Sequence, residues 1–390
     1  MNLIQIPFHD LRKIEVEGHR TRDAHLIEGF VASPRIKKLL VLDRPTTWLE
    51  ILIKKKPKNI KYEKVLLRNK GLLLVQISPN FYAITYKTND LFGQIKMRQK
   101  WFKNKFADKE YLDFIHKSLD LLEMQNAGLI SNNIFACDLF DKIKVQNKIF
   151  DAWDDFAKIG NYAALKDVVT TCYKSYAKSA SIWTTNAEKN KFSFDSQYAV
   201  KAIHVITNGV DENRFSADLT VEMPRDMRGI PKPIYGFGGK ITHLINPQLM
   251  DKVAAKNPEK HFVFVGQNMV PEILNQFKHH ANVHYLGDKH YDEYINYLTH
   301  FDVCLVPYVD DKKSSGANTI KVYEYLAMGK KVVGTYGNGL ENLEDYLYTA
   351  KTAEDFSNYL DEIHPNKSQG FDIQSNSWRS KVDAFIDLLN

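Results

Sequence analysis

Apolar residues recur along the chain in two patterns, short blocks rich in β-branched and aromatic side chains and longer stretches with apolar positions every three or four residues. NLIQIPF at 2–8 predicts a first strand, RTRDAHLIEGFVAS at 20–33 a helix and KKLLVLDR at 37–44 a second strand, a β-α-β start. The intervening HDLRKIEVEGH reads as a polar loop carrying Gly18; it has no GxGxxG, so no dinucleotide site is predicted there. VLLRNKGLLLVQIS and FYAITYK look like a strand pair. A helix at 109–127, strands at 132–139 and 147–157, a helix at 161–179 and strands SASIWTTNA and KAIHVITNGVD follow. The Pro- and Gly-containing 214–232 segment cannot continue a helix and reads as a linker. Beyond it, strands at 233–238, 261–266, 282–286, 302–307 and 331–335 alternate with helices at 247–256, 270–279, 291–299 and 319–328. Such alternation predicts a parallel sheet covered on both faces. A last helix, within 373–390, carries Trp378 and Phe385.

The most informative stretch is SGANTIKVYEYLAMGKKVV at 315–333, a polar turn, a short helix, a glycine stop and a buried strand. Asn318 or Ser315 can cap the helix, and Gly329 stands where a left-handed C-terminal residue is wanted. The first turn therefore offers backbone N–H groups to an anion. Ile320, Val322, Tyr323, Tyr325, Leu326 and Met328 leave almost no polar face, so Glu324 is predicted to be buried and to need a partner. Helical spacing puts it on the side of Ile320 and Lys321, where a phosphate above and a hydroxylated sugar beside it satisfy both groups.

That stretch resembles the donor-site helix of nucleotide-sugar glycosyltransferases of the GT-B fold, the group 1 or family 4-like type that builds bacterial surface polysaccharides. VITNGVDENRF at 205–215, PIYGFGGKIT at 233–242, HFVFVG at 261–266, NVHYLG at 282–287 and FDVCLVPY at 301–308 resemble the rest of that family's C-terminal domain in order and spacing. The resemblance implies an α/β fold of two facing Rossmann-like domains with parallel sheets and a C-terminal crossover helix. The expected domains are 1–213 for the acceptor, 214–372 for the donor, and 373–390 crossing back to the first. It implies a donor site of Gly238, Gly239, Lys240, Asn318, Thr319, Ile320, Lys321 and Glu324, with Glu324 on ribose hydroxyls and Lys240 and Lys321 neutralising the departing diphosphate. Many retaining members carry a second Glu eight residues before the helix Glu; here that position is Gly316, which leaves the stereochemistry open.

Catalytic candidates in the first domain are Asp155 and Asp154, which follow a strand where ligands bind in open α/β sheets, with His9, Asp10 and His19 on the first loop, where Arg20 joins them as a candidate acceptor-site residue. Lys240 completes the catalytic set. Capping of the next helix by Asp154 or Asp155 is the alternative for that pair. Asp310-Asp311 and Asp154-Asp155 lack a third spaced ligand, so no metal is expected, and the co-substrate is a nucleotide sugar, a UDP-sugar by the resemblance.

Composition narrows the field. At 390 residues, 44% hydrophobic and 26% charged, the chain predicts two soluble globular domains. No signal peptide or apolar run of membrane-spanning length is expected, and Cys137, Cys172 and Cys304 are too few and too scattered for a disulfide framework or a zinc site. A cytoplasmic protein fits. The net charge of +6 favours anionic partners. LFGQIKMRQKWFKNKF at 91–106 interleaves large apolar side chains with five cations, which reads either as a basic amphipathic helix on the anionic inner face of the plasma membrane or as a core-packed helix with a solvated basic face. Nucleic acid is not expected, because no recognition motif accompanies the charge. YGFGGKIT lacks the third glycine and the following acid of a nicotinamide site. The expected function is sugar transfer to a glycan or lipid-linked acceptor in capsule, O-antigen or teichuronic-type synthesis; a nucleotide-sugar epimerase or a non-catalytic sugar-nucleotide binder is the alternative.

Overall fold

Strand placement follows the buried apolar blocks. In the computed structural model, which describes residues 1–309 and 318–390, the chain forms two compact units, Met1–Thr207 with Lys381–Asn390, and Asn208–Ser380. The expected boundaries, at 213/214 and 372/373, thus stand beside observed ones at 207/208 and 380/381.

The strands of the first unit are Asn2–Ile6 (β1), Lys38–Leu42 (β2), Thr46–Thr47 (β3), Lys64–Asn69 (β4), Leu72–Ser78 (β5), Phe81–Thr88 (β6), Gly128–Ser131 (β7), Lys148–Asp151 (β8), Ile182–Thr185 (β9) and Ile203–Val205 (β10). They lie in the order β10-β9-β8-β7-β1-β2-β6-β5-β4, with β3 against β6. Only β4–β5 and β5–β6 are antiparallel. The chain thus builds outward from β1 through β2 and β6 on one side and through β7 to β10 on the other. The order reverses between β1 and β7, and it is beyond the carboxyl ends at such a switch point that open α/β sheets take ligands.

The second unit is an all-parallel sheet of Ile234–Gly238 (β11), His261–Val265 (β12), Val283–Tyr285 (β13), Val303–Val306 (β14), Lys331–Thr335 (β15) and Tyr348–Ala350 (β16). Its order, β13-β12-β11-β14-β15-β16, is the doubly wound arrangement in which order reverses between β11 and β14. Both faces are covered, so β12, β14 and β15 read as nearly unbroken apolar runs and Cys304 is core.

Several expected elements differ. The loop expected at 9–19 contains a helix, Leu11–Glu17: Asp10 accepts from the Lys13 N–H, Leu11 and Ile14 are buried, and Gly18 closes it at φ 81°. VLLRNKGLLLVQIS is two strands, β4 and β5, because Lys70 and Gly71 take positive φ and turn the chain. The strand expected at 132–139 is a 3-10 turn, Ile134–Ala136, running into the helix Cys137–Lys142; Asn133 caps the turn by accepting from the Phe135 N–H, and the strand lies earlier, as β7. That expected at 147–157 stops at Asp151. The helices Glu188–Tyr198 and Ala353–Leu360 were not foreseen.

The segment 91–106 is two short helices, Leu91–Met97 and Lys100–Phe106, broken at Arg98 with φ 48°. In the second, Trp101 and Phe106 are core, Trp101 Nε1 donates to Asp90, and Lys103 pairs with Asp138. Only the first leaves large apolar side chains, Phe92 and Ile95, in solvent. In the helix Trp378–Leu389, Phe385 packs edge-on against Phe30, and Arg35 pairs with Asp383 and Asp387. Gly29 makes room for Val382, whose Cγ2 lies 2.5 Å from where a Cβ would be.

Candidate functional site

At the reversal point of the second sheet three elements converge. β11 ends in Gly238 and runs into Gly239, which adopts φ +134°; a Cβ on Gly238 would lie 2.1 Å from the Tyr294 hydroxyl, and one on Gly239 2.7 Å from Lys321 Cε. Glycine is therefore what lets Lys321 lie across the end of β11. The Gly238 N–H donates to the Tyr325 hydroxyl at 2.8 Å, tying the strand end to the helix Ile320–Ala327. Lys321 Nζ donates to the Tyr308 hydroxyl at 2.5 Å, just past β14, and lies 5.1 Å and 5.2 Å from the Phe237 and Tyr308 ring centroids.

The helix begins after Thr319, whose side chain makes no capping bond, so its first turn keeps N–H groups for another acceptor. Asn318, expected as a cap or ligand contact, is used structurally. Its Oδ1 accepts from the Asn208 N–H at 3.0 Å, its carbonyl from Asn208 Nδ2 at 2.6 Å, and its Nδ2 donates to Tyr323 at 2.8 Å. Lys240 is partly exposed beside Gly239, with no hydrogen-bond or ion-pair partner among the described residues. Ser315, Gly316, Asp310 and Asp311 lie outside the described residues.

Glu324 is 3% exposed and accepts from the Tyr291 hydroxyl at 2.5 Å. Burial pushes its carboxyl up to about 7, against the pull of Tyr291, Lys321 and Arg214. Tyr291, the partner that the sequence requires without naming, comes from the helix Tyr291–Thr299; it is 33 residues away, so no local pattern could show it.

In the first unit His9 lies just past β1. Its Nδ1 is 2.9 Å from Asp23 Oδ1, and its N–H donates to Asp23 Oδ2 at 2.7 Å. Burial alone would raise the Asp23 carboxyl, but the His9 ring and N–H and the Thr21 hydroxyl outweigh it and hold Asp23 well below the usual carboxylate range. Asp23 was not singled out in the sequence; its only signal is an acid in the first turn of the helix Arg22–Ala32. Asp155 is buried, accepts from the Ala157 N–H at 3.1 Å and pairs with Lys158 at 3.0 Å, a turn-closing role. The Asp154 carbonyl accepts from Tyr173. Asp10 caps a helix and pairs with Arg44 and Lys56. His19 is within 4.0 Å of Glu28, and Arg20 pairs with Glu17. Asp151 is fully enclosed, gripped by Arg22 at 2.8 and 3.0 Å, Asn132 at 2.8 Å and Thr184 at 2.8 Å.

Among the described residues one cluster brings three metal-ligating side chains together, Asp251, His279 and His280; His280 Nε2 is 2.8 Å from Asp251 Oδ1, as a hydrogen bond requires. It shares no residue with the arrangements above.

Residues 243–366 match the family described as glycosyl transferases group 1. A putative teichuronic acid biosynthesis glycosyltransferase, TuaH of Bacillus subtilis (strain 168), is 26% identical over 135 residues, so the match spans 34% of this chain and 34% of that relative. Solved structures share the fold along the full chain. A UDP-forming α,α-trehalose-phosphate synthase from Burkholderia xenovorans has a TM-score of 0.67 at 12% identity, covering 100% of this chain and 99% of that one. The E. coli trehalose-6-phosphate protein bound with UDP-2-fluoro glucose has 0.65 at 10%, covering 100% and 99%. Sucrose-phosphate synthase from Thermosynechococcus elongatus has 0.62 at 13%, covering 100% and 95%. The fold is GT-B, and the stretch that matches the group 1 glycosyltransferase family lies within the second unit.

Glu324 gives the site a measurable pH signature. A carboxyl whose value rises on folding is ionised more readily in the unfolded chain, so stability is fullest below the ordinary 4.5 and falls as pH rises through about 7. Glu324→Gln is expected to abolish that decline, about 2–3 kcal/mol at most, in urea unfolding of the ligand-free protein at pH 4.5 and pH 8. An equal decline in the variant would place the raised group elsewhere.

Proposed function

We propose that the protein is a metal-independent glycosyltransferase that moves a sugar from a UDP-sugar to a glycan or lipid-linked acceptor in surface-polysaccharide synthesis. The observation that carries this reading is the convergence of Gly238, Gly239, Lys321 and an uncapped helix N-terminus at the reversal point of a doubly wound sheet, one turn from a buried Glu324. The donor class is supported by the fold neighbours that are UDP-forming or bound with UDP-2-fluoro glucose, and the acceptor class by the relative named for teichuronic acid biosynthesis.

In this reading the diphosphate meets the helix N–H groups of Ile320 and Lys321 and the Lys240 and Lys321 ammoniums, and Glu324 takes the ribose hydroxyls. Charge develops on the diphosphate as the anomeric C–O bond breaks, and these fixed positive groups stabilise it most at that point. The acceptor hydroxyl forms the new bond and gives up its proton. His9 is the favoured base over Asp155: the bond between Nδ1 and Asp23 fixes the ring so that Nε2 is the acceptor, whereas both Asp155 oxygens are already engaged.

The test is acceptor-dependent UDP release from a panel of UDP-sugars. Lys321→Ala is expected to weaken donor binding by about 1–3 kcal/mol, and His9→Gln to lower turnover by roughly 10²-fold with donor affinity kept. Release that needs no acceptor, or wild-type donor affinity in a folded Lys321→Ala variant, overturns the reading. Normal turnover in His9→Gln removes the base.

A peripheral position on the inner face of the plasma membrane is part of the proposal. Gln94 of the helix Leu91–Met97 donates to Glu50 at 2.8 Å and bonds Thr47, so that helix is fastened to Trp48–Ile53. Together they expose Phe92 at 86%, Ile95 at 62%, Leu52 at 75% and Ile53 at 69%, beside exposed Lys54, Lys55, Lys96 and Arg98. Apolar tips ringed by cations suit an anionic bilayer, each cation adding about 1 kcal/mol near the surface. Among the described residues no helix is long and apolar enough to cross a membrane. Leu52→Asp with Phe92→Asp is expected to abolish salt-sensitive sedimentation with phosphatidylglycerol vesicles; undiminished sedimentation rejects this surface.

A further inference from the structure

Arg12 is 1% exposed, yet only its Nη1 is taken, by Asp43 at 3.3 Å. Its Nε and Nη2 have no hydrogen-bond partner among the described residues. These two groups form one edge of the guanidinium, the same edge with which Arg22 grips both oxygens of Asp151 at 2.8 and 3.0 Å. The chain thus carries two buried arginines with the same fork, one filled by a carboxylate and one empty. An empty fork of that kind is shaped for an acid group with two oxygens, and leaving it buried and unpaired is unfavourable.

A second cation stands near. Lys87, at the carboxyl end of β6, is 8% exposed; its ammonium donates to Asn59 Oδ1 at 2.7 Å and lies 4.6 Å from the Trp48 ring centroid. The charges acting on it are Arg12, Lys58 and Arg68, all positive, and burial followed by these three lowers it to about 8. Lys58 also lies over the Trp48 ring, at 5.6 Å. Arg12 follows β1 and Lys87 ends β6, so both stand at the carboxyl ends of parallel strands, the side on which open α/β sheets take ligands.

We propose that Arg12 and Lys87, with the Trp48 ring as one wall, form a binding site for a phosphate or diphosphate group. As the anionic handle of the acceptor this rests on the glycosyltransferase reading; as an anion site it stands without it. Trp48 opens the helix that ends in the exposed Leu52 and Ile53, so an acceptor bearing a lipid on its diphosphate has apolar surface beside its phosphate.

Calorimetry on the full chain at constant ionic strength tests the proposal, with inorganic pyrophosphate and detergent-dispersed farnesyl diphosphate as probes. Lys321→Ala serves as the background, so that the donor site contributes least. In that background both probes are expected to bind, and Lys87→Gln or Arg12→Lys to weaken binding roughly tenfold or more. A tighter fit for farnesyl diphosphate assigns the site to a lipid carrier, and equal fits to a free phosphate or diphosphate; either order supports it. Lys87→Gln is also expected to raise the unfolding temperature in the absence of anion, because it relieves repulsion, whereas loss of a merely structural lysine lowers it. In otherwise wild-type protein, UDP affinity stays unchanged in Lys87→Gln, which separates failure here from failure at the donor site. Absence of probe binding in the Lys321→Ala background, or binding unchanged by both further substitutions, overturns the proposal.

Discussion

The second unit depends on a close approach that only side-chain-free backbone permits. Lys321 crosses the end of β11 where a Cβ on Gly239 would stand 2.7 Å from its Cε, and Gly266 turns at φ +140° with its own missing Cβ 2.1 Å from the Gly239 carbonyl. Two neighbouring strand ends and a helix N-terminus are thereby brought to one place. Asn208 and Asn318 add two hydrogen bonds across 110 residues, fixing the start of the helix, whose opening turn the Thr319 side chain leaves uncapped. Position and chemistry have the same origin: what makes the packing tight also presents backbone N–H groups, a lysine and a glutamate together.

The first unit manages the opposite problem, a concentration of charge around the carboxyl ends of its strands. Asp151 is satisfied on every side by Arg22, Asn132 and Thr184. Asp10 and Glu50 share Arg44 and Lys56, and the Arg44 guanidinium lies 4.4 Å from the Phe102 ring centroid. Buried ions that are paired this thoroughly hold structure and leave little freedom to do chemistry. Against that background His9, oriented by Asp23, and Arg12, with half its guanidinium unused, stand out as groups whose capacity is not spent on the fold.

Alternation made the second unit readable from sequence. The helices Pro247–Lys256 and Tyr291–Thr299 and strand Lys331–Thr335 fall where the apolar period puts them, and Glu324 is buried because its neighbours on the helix, Lys321 apart, are aliphatic or aromatic. The first unit was less legible for identifiable reasons. At 11–17 only Leu11 and Ile14 are apolar and buried among charged neighbours, so a helix looked like a loop. At 132–139 a short apolar run fits a strand or a buried turn and helix equally, and the Asn133 cap decided it. Partners such as Asp23, Tyr291 and Asn208 were invisible because contact, not spacing, joins them to His9, Glu324 and Asn318.

The central claim is that a nucleoside diphosphate sits at the end of β11 against the helix Ile320–Ala327. Hydrogen exchange of the full-length protein with and without UDP measures this directly, because backbone N–H groups that donate to a phosphate, or are covered by one, exchange more slowly. The account predicts protection confined to Gly238–Ile241 and Ile320–Glu324, together with the segment around Tyr291 that supports Glu324. Protection in the first unit alone, or none at a UDP concentration that saturates binding, contradicts it.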